Sequence, residues 1–189
     1  CLLSRGLGDV YKRQELLQDL AAMAEDEIAA IQSATIDHLT QMSNRRGFEV
    51  LGNHVLATCA RLSLPATLLF FDLDGFKQIN DQHGHSEGDR ALQRFAEAMS
   101  LTFRTSDVYA RLGGDEFVVL LSNTSEPEIH AALERLQHAI DASNANVVPG
   151  LHLRFSAGAV TSEAGSEDIA ALLRKADQRM YENKRLRRT

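Results

Sequence analysis

The first regular pattern along the chain is a stripe of apolar residues at helical spacing. Between Glu15 and Ile36 there is no Gly or Pro, and apolar residues recur three and four positions apart. They are Leu17, Leu20, Ala24, Ile28 and Ile31. This spacing places them on one face of a helix. We predict a helical stalk over residues 15–36, which either packs on its own domain or ends a coiled coil that relays a signal from an upstream sensor.

Beyond the stalk, helical and strand patterns alternate. Residues 66–72 read ATLLFFD, a continuous apolar run typical of a central strand covered on both faces. The glycines of residues 113–116 favour a tight hairpin between two short strands. The predicted elements are a helix from 44 towards 60, the strand 66–72, helices 76–83 and 87–103, strands 107–112 and 117–122, a helix over 128–142, a strand over 151–160 and a helix over 168–184. This order predicts an α+β sandwich of helices on a largely antiparallel sheet, in a ferredoxin-like layout.

Composition limits the kinds of partner and compartment. The formal charge of -6 argues against a broad cationic surface for nucleic acid, so we expect no nucleic-acid partner. The two cysteines, Cys1 and Cys59, form no disulfide framework or thiolate metal motif, which favours the reducing cytoplasm. No apolar run approaches the roughly 18 residues of a membrane span. The chain does not begin with Met, so we expect it to be part of a longer protein, for which a membrane anchor stays open.

Three segments follow from these patterns. Residues 1–14 resemble translated cloning sequence, and we predict a non-native or disordered extension there. Residues 15–36 are the stalk, and residues 37–189 form the globular domain.

Two pairs of acidic residues carry the candidate chemistry. Asp72 and Asp74 lie two apart at the end of the apolar strand, so an extended backbone projects both side chains on one face. Asp115 and Glu116 occupy the predicted hairpin tip. Clustered carboxylates suit a hard divalent cation that retains waters and substrate phosphates. The alternative is that Asp74 only caps the following helix and that the hairpin acids are solvated turn residues.

The residues around these acids resemble the GGDEF domain family. Residues 71–77 read FDLDGFK, followed by Asn80-Asp81, Gly84-His85 and Gly88-Asp89, and residues 113–117 spell GGDEF. The resemblance extends from about Asp37, in DHLTQMSNRRGF, to Arg188. It implies a nucleotide-cyclase-like sandwich and a diguanylate cyclase, which joins two GTP molecules into cyclic dimeric GMP (c-di-GMP) and releases two pyrophosphates.

The resemblance also assigns the metal site. It implies that Asp72, the carbonyl of Leu73 and Asp115 hold Mg²⁺ or Mn²⁺, with two ions per GTP site, and that Asp74 and Glu116 lie alongside. The ions would lower the pKa of the attacking hydroxyl and neutralise charge on the leaving oxygens. Asp115 or Glu116 would assist proton removal, and both alternatives stay open.

The same resemblance assigns nucleotide-binding residues. Asn80 and Asp89 would read the guanine edge, and His85 would lie near the sugar or the base. Phosphate contacts and close backbone approach would come from Lys77, Lys184, Arg188, Gly113 and Gly114. For the basic end of the last helix, the alternative is that its arginines only complement the helix dipole.

Assembly and feedback follow from the resemblance as well. Each domain of this family binds one GTP, so two domains must face each other in a homodimer, which the stalk could control together with an upstream sensor absent from this chain. Arg104 and Asp107 match the family's RxxD product-inhibition motif for c-di-GMP, and we add Arg135 to that site. An exposed ion pair between Arg104 and Asp107 is the alternative.

Some residues depart from the family pattern, and other functions compete. Gln41-Met42 stand where Gly-Leu is usual and Arg187 stands where Gly is frequent, which affects local turn geometry and the placement of Arg188. The main rival is a catalytically silent GGDEF-like module that binds GTP or c-di-GMP. A polymerase-palm or cyclase relative is disfavoured by the guanine-reading pair, and a zinc site at His83 and His85 by the lack of further ligands. No Glu-Ala-Leu phosphodiesterase signature occurs.

Overall fold

Six helices and four strands make up the chain in a computed structural model that describes residues 2–148, 150–162 and 167–186. In order they are α1 (Leu2–Thr35), α2 (Arg45–Leu62), β1 (Ala66–Leu73), α3 (Phe76–His83), α4 (His85–Thr102), β2 (Val108–Gly113), β3 (Glu116–Ser122), α5 (Glu126–Asn144), β4 (Phe155–Ser162) and α6 (Ile169–Leu186). The order and type of the elements match the prediction. Two compact units divide between Thr35 and Ile36.

The first unit is the single helix α1. It includes the predicted stalk and continues back to Leu2, so residues 2–14 are helical rather than set apart from it. That residues 1–14 are non-native stays a prediction. None of the helices among the described residues is both long and apolar enough to cross a membrane.

The second unit is built on a four-stranded antiparallel sheet in the order β2-β3-β1-β4. With helices between β1 and β2 and between β3 and β4, this is the ferredoxin-like arrangement that the element order predicted. The central strand β1 is buried from Ala66 to Phe71, as its uninterrupted apolar sequence implied.

A separate hydrophobic core covers each face of the sheet. On one face α3, α4 and α5 pack around an aromatic cluster, in which the rings of Phe95 and Phe117 are 4.8 Å apart and those of Phe71 and Phe155 are 5.8 Å apart. On the other face α2 and α6 pack on Phe70 and neighbouring apolar residues. The two cores together fix β1, which carries the first acidic pair.

In the second unit, the largest departure from the predicted boundaries is the start of β4, at Phe155 instead of residue 151. The side-chain amide of Asn144 accepts from Leu153 N at 2.7 Å and donates to Leu153 O at 2.9 Å. Arg94 donates to Leu151 O at 3.2 Å. Side chains therefore bind the carbonyl of Leu151 and both backbone groups of Leu153, so the alternating sequence is not used for sheet pairing.

Candidate active site

The two acidic pairs meet at one end of the sheet, where β1 ends and β3 begins. In the strand register Asp72 on β1 lies opposite Glu116 on β3 and opposite Ser156 on β4. The N–H of Leu73 donates to Asp115 O at 3.2 Å, which links the end of β1 to the hairpin tip. The structure thus brings together the acids that the sequence placed at a strand end and a turn.

Asp74 belongs to this cluster and does not cap α3. Ser156 Oγ donates to both of its carboxylate oxygens at 3.0 Å, and Asp74 N–H donates to Arg154 O at 2.8 Å. The residue that precedes α3 is Gly75, with φ of 75°, and no side chain caps this helix. The helix-cap alternative for Asp74 is therefore wrong.

Lys184 of α6 reaches into the cluster and bridges its two aspartates. Its Nζ contacts Asp72 and lies 3.4 Å from Asp74 Oδ1. Burial lowers the pKa of Lys184, but hydrogen bonds to the two carboxylates and their negative charges outweigh it, so its pKa is raised. The ammonium thus compensates part of the negative charge of the two carboxylates. Arg188, the other predicted phosphate contact of this helix, lies outside the described residues.

The hairpin acids carry charge that the protein only partly compensates. Burial raises the pKa of Asp115 and the negative charge of Asp72 raises it further, against weaker opposition from Lys184 and Arg111. Burial also raises the pKa of Glu116, opposed by Arg45, whose guanidinium lies 3.8 Å away. Half-buried carboxylates with raised pKa values favour a bound cation or proton.

The donor set fits a hard divalent cation. In the part of the chain that the structure describes, no three carboxylate, imidazole or thiol groups gather closely enough to hold an ion alone. The predicted set is smaller, since it consists of Asp72, Asp115 and the Leu73 carbonyl. Mg²⁺ commonly takes one or two carboxylates and completes its shell with waters and substrate phosphates, so an all-oxygen set of this size suits it.

The hairpin tip is held in place by Arg111, which the sequence did not single out. The guanidinium of Arg111 donates to Gly114 O at 3.0 and 2.8 Å, and to both carboxylate oxygens of Asp37 at 3.1 Å. Gly113 and Gly114 have φ of 148° and 53°, a region that favours glycine and permits the tight turn.

Arg111, Ser156 and Arg45 are the site residues that sequence reasoning missed. Ser156 and Arg45 meet the acids only through pairing between distant segments, and they carry no local signal. Arg111 lies two residues before the signature, so its position was the one available hint.

Four of the predicted nucleotide-binding residues lie on the two helices that follow Asp74. Lys77 is exposed on the first turn of α3, and Asn80 is half-buried one turn later. His85 and Asp89 are exposed on the first turns of α4. Gly84, with φ of 85°, is the only residue between the two helices, so the chain turns sharply there and brings these side chains onto one helix pair.

A cavity of about 600 Å³ opens beside the carboxylates, a volume in the range of small-molecule sites. Asp74, Ser156 and Lys184 line it on one side, and residues from the end of α5 and the start of β4 complete it. Asn80 and Asp89 are not among its described lining residues. The cavity therefore belongs to the carboxylate and lysine side of the site, and the predicted base-reading pair lies apart from it.

The RxxD residues form a second, smaller pocket together with Arg135. Arg104, Asp107 and Arg135 line a cavity of about 90 Å³ between the loop before β2 and α5. The backbone N–H of Arg104 donates to Asp107 Oδ2 at 2.9 Å, whereas its guanidinium lies 3.6 Å from Glu128 Oε1. The structure places Arg135 beside the motif, and a role of these three residues in product inhibition stays a prediction.

Sequence comparisons match the chain to one family. A family model described as "Diguanylate cyclase, GGDEF domain" matches residues 34–189. The probable diguanylate cyclase DgcC of Escherichia coli (strain K12) is 32% identical over 168 residues, which cover 89% of this chain and 45% of DgcC. The chain therefore spans about half the length of this curated relative.

Solved structures agree on the fold. The GGDEF domain of PA1120 (TpbB or YfiN) from Pseudomonas aeruginosa superposes with a TM-score of 0.72 at 33% identity, covering 80% of this chain and 89% of that one. The coiled coil and GGDEF domain of DgcB from Caulobacter crescentus, solved with c-di-GMP, gives a TM-score of 0.83 at 21% identity over 92% of this chain and 93% of that one. At that identity the second comparison shows the fold alone.

Proposed function

The chain belongs to the GGDEF domain family, and from that premise we propose that it is a diguanylate cyclase that condenses two GTP molecules into c-di-GMP and two pyrophosphates. The observation that carries the proposal is that Asp72, Asp115 and Glu116 come together where β1 ends and β3 begins. A silent relative would have little reason to keep all three acids, because grouped carboxylates repel one another.

In this function Asp72, the Leu73 carbonyl and Asp115 would hold the divalent cations, two per GTP site. Mg²⁺ is the ion that these oxygen donors suit best, and Mn²⁺ could substitute for it. The cations would acidify the 3′-hydroxyl of one GTP and neutralise charge on the pyrophosphate that leaves the other. The attacking hydroxyl forms a bond to the α-phosphorus, the bond to pyrophosphate breaks, and the reciprocal step closes the ring. Asp115 and Glu116, with their raised pKa values, are the candidate proton acceptors.

Lys184 would contact the phosphates of GTP in this scheme. Its ammonium bridges Asp72 and Asp74 and lines the 600 Å³ cavity beside them. From that position the ammonium would donate charge-assisted hydrogen bonds to the phosphates of GTP, with Lys77 and Arg188 adding further contacts. Gly113 and Gly114 let the hairpin backbone approach the nucleotide.

Guanine is read on α3 and α4. The carboxylate of Asp89 would accept from the ring N1–H and the exocyclic amine, and the Asn80 amide would add a further bond. Adenine presents no such pair of donors at those positions, so a site built this way discriminates strongly against ATP. His85 lies on the same turns and would contact the sugar or the base.

Catalysis requires two copies of the domain, because one domain supplies one GTP. Helix α1 offers a means of pairing them, since Leu17, Leu20, Ile28 and Ile31 are 52–66% exposed along it. A second copy of the same helix would cover this stripe and raise the effective concentration of the second active site. A sensor upstream in the longer protein would then control the pairing. We place this domain in the cytoplasm, which supplies GTP and keeps Cys59 reduced.

Product feedback completes the proposal. The pocket of Arg104, Asp107 and Arg135 would bind c-di-GMP, since arginine suits both phosphates and guanine edges. Replacing Arg104 with Ala is then expected to raise the c-di-GMP concentration for half-inhibition at least tenfold while the initial rate stays the same. Equal inhibition of both proteins would remove the feedback role from this pocket.

The decisive experiment incubates the purified chain with GTP and Mg²⁺, beside an Asp115→Asn control, and quantifies c-di-GMP by chromatography. A protein concentration series drives dimer formation, and calorimetry with a non-hydrolysable GTP analogue reports binding separately. Product from the parent alone supports the cyclase. Absence of product at the highest concentration, with analogue binding intact, would establish the silent binding module in its place.

A further inference from the structure

Gly88 lies on the first turns of α4, directly against Asn80 of α3. It is buried, it is followed by Asp89, and its N–H donates to Gly84 O at 3.3 Å. It has no left-handed backbone angle, unlike Gly84, so the helix conformation itself does not require glycine at this position. Glycine is less favourable than alanine inside a helix, which calls for another reason for its presence.

That reason is the space that Asn80 occupies. A Cβ atom built on Gly88 would lie 2.0 Å from Asn80 Oδ1, 2.9 Å from its Cγ and 3.4 Å from its Nδ2. The three nearest atoms all belong to this one side chain. An alanine at position 88 would therefore displace the Asn80 amide by rotation and leave the neighbouring backbone in place.

The Asn80 amide is available to a ligand. Within the described residues, no side chain or backbone group forms a hydrogen bond with it. Packing against the bare backbone of Gly88 limits the rotamers of Asn80, and a polar group held in position before binding loses less entropy when the ligand arrives.

We propose that Gly88 is a specificity-determining residue, because its missing side chain holds the Asn80 amide in the orientation that, together with Asp89, selects guanine. The proposal rests on the nucleotide function above and adds a residue that touches neither the base nor the reacting atoms. Gly88 acts only through Asn80, so it is a positioning residue.

A double-mutant cycle tests this coupling. The parent, Gly88→Ala, Asn80→Ala and the double variant are each titrated with non-hydrolysable analogues of GTP and ATP in the presence of Mg²⁺. We expect Gly88→Ala to weaken binding of the GTP analogue about tenfold, the loss of one hydrogen bond, with little change for the ATP analogue. In the Asn80→Ala background the same change should have no further effect, because the displaced group is gone.

Kinetic measurements and a matched glycine variant distinguish a loss of Asn80 positioning from a general disruption of the fold. KM for GTP should rise in Gly88→Ala while kcat stays close to the parent value. Gly52→Ala in α2 is the matched control, since it also adds a methyl group in a helix, and it should leave both analogues bound as in the parent. Gly88→Ala protein that unfolds, binds as the parent does, or loses affinity equally in the Asn80→Ala background would overturn the proposal. A parent that binds neither analogue would instead refute the nucleotide function itself.

Discussion

Replacing Gly158 with Ala is expected to push α6 away from the sheet. A Cβ atom built on Gly158 in β4 would lie 2.2 Å from both Ala176 O and Met180 N, and 2.8 Å from Met180 Cα. These are backbone atoms of α6, so no side-chain rotation relieves the clash. Restoring ordinary contact requires the helix to shift by about 1 Å.

The shift of α6 lowers stability in two ways, by overpacking the core and by straining hydrogen bonds to β4. Overpacking of a tight core costs about 1–3 kcal/mol. The shift also strains two bonds from α6 to the edge of β4, namely Arg179 Nη1 to Ala159 O at 2.6 Å and Asn183 Nδ2 to Ala157 O at 2.9 Å. We expect the free energy of unfolding to fall by about 2–3 kcal/mol, near the upper end of this range. Such a loss lowers the melting temperature of a domain of this size by about 4–12 °C.

Activity should fall more than stability alone requires. Lys184 follows Met180 by one helical turn and bridges Asp72 and Asp74, so it moves with the helix. A misplacement of about 1 Å in a catalytic site can cost up to 100-fold in rate, and we expect at least a tenfold loss of c-di-GMP production at a temperature where the variant is folded.

The assay compares melting curves and initial rates of the parent, Gly158→Ala and Gly52→Ala. At Gly52 the added methyl group would meet Ile169 Cδ1 at 3.0 Å and Cγ1 at 3.2 Å, atoms of a flexible side chain, and Leu120 Cδ2 at 3.7 Å, which is an ordinary contact. The gain in helix propensity of about 1 kcal/mol offsets that contact, so this control should match the parent closely. A Gly158→Ala protein with the melting temperature and rate of the parent would refute the close approach of α6. Lower stability with an unchanged rate would refute the dependence of Lys184 on it.

Three further predictions concern the turn at Gln41 and the hairpin between β2 and β3. Gln41 has φ of 59°, so Gln41→Gly should stabilise the domain by about 0.5 kcal/mol in urea unfolding, and Gln41→Ala, which keeps the strain, should not. Arg111→Ala removes the charged partner of half-buried Asp37, which keeps its hydrogen bonds from Thr40, and removes the donors to Gly114 O. It should lower the free energy of unfolding by about 2 kcal/mol and lower the rate, whereas a loss below about 0.5 kcal/mol would show that Arg111 does not stabilise the hairpin. The raised pKa of Asp115 means that its ionisation destabilises the fold as pH rises from about 4 towards 7. Without divalent ions, Asp115→Asn should therefore have a higher melting temperature than the parent at about pH 7 and a similar one at about pH 4. A lower melting temperature than the parent at about pH 7 would contradict the raised pKa.

Local sequence predicted the fold because each element carries its own signal. The unbroken apolar run of β1 implied a strand covered on both faces, and the glycines of the hairpin implied the turn. The start of β4 was placed wrongly because Asn144 binds the backbone of Leu153, and a contact between a helix and a later loop leaves no periodic trace.

The acids of the site could be predicted, but the groups that hold them could not. Asp72 and Asp115 were visible as carboxylates at a strand end and a hairpin tip. Ser156 meets Asp74 across 82 residues of sequence, and Lys184 meets Asp72 across 112. Lys184 was predicted as a phosphate contact, but its pairing with Asp72 was not predicted, because only the folded sheet brings the two residues together. The unusual Gln41 was noticed as a departure from the family pattern, and its positive φ gives that departure its physical meaning.

The rigidity of the site indicates where control of the enzyme would act. Asp72 projects from β1 between two cores, with Phe71 packed into one and Phe70 into the other. A slip of β1 by one residue would turn Asp72 to the opposite face and away from Lys184, and both cores oppose that slip. The acids are therefore held by the same packing that stabilises the domain, so a signal that moved them would have to disrupt both cores. The less costly way to regulate such a site is to change how often two domains meet, which is the role we propose for the exposed apolar stripe of α1.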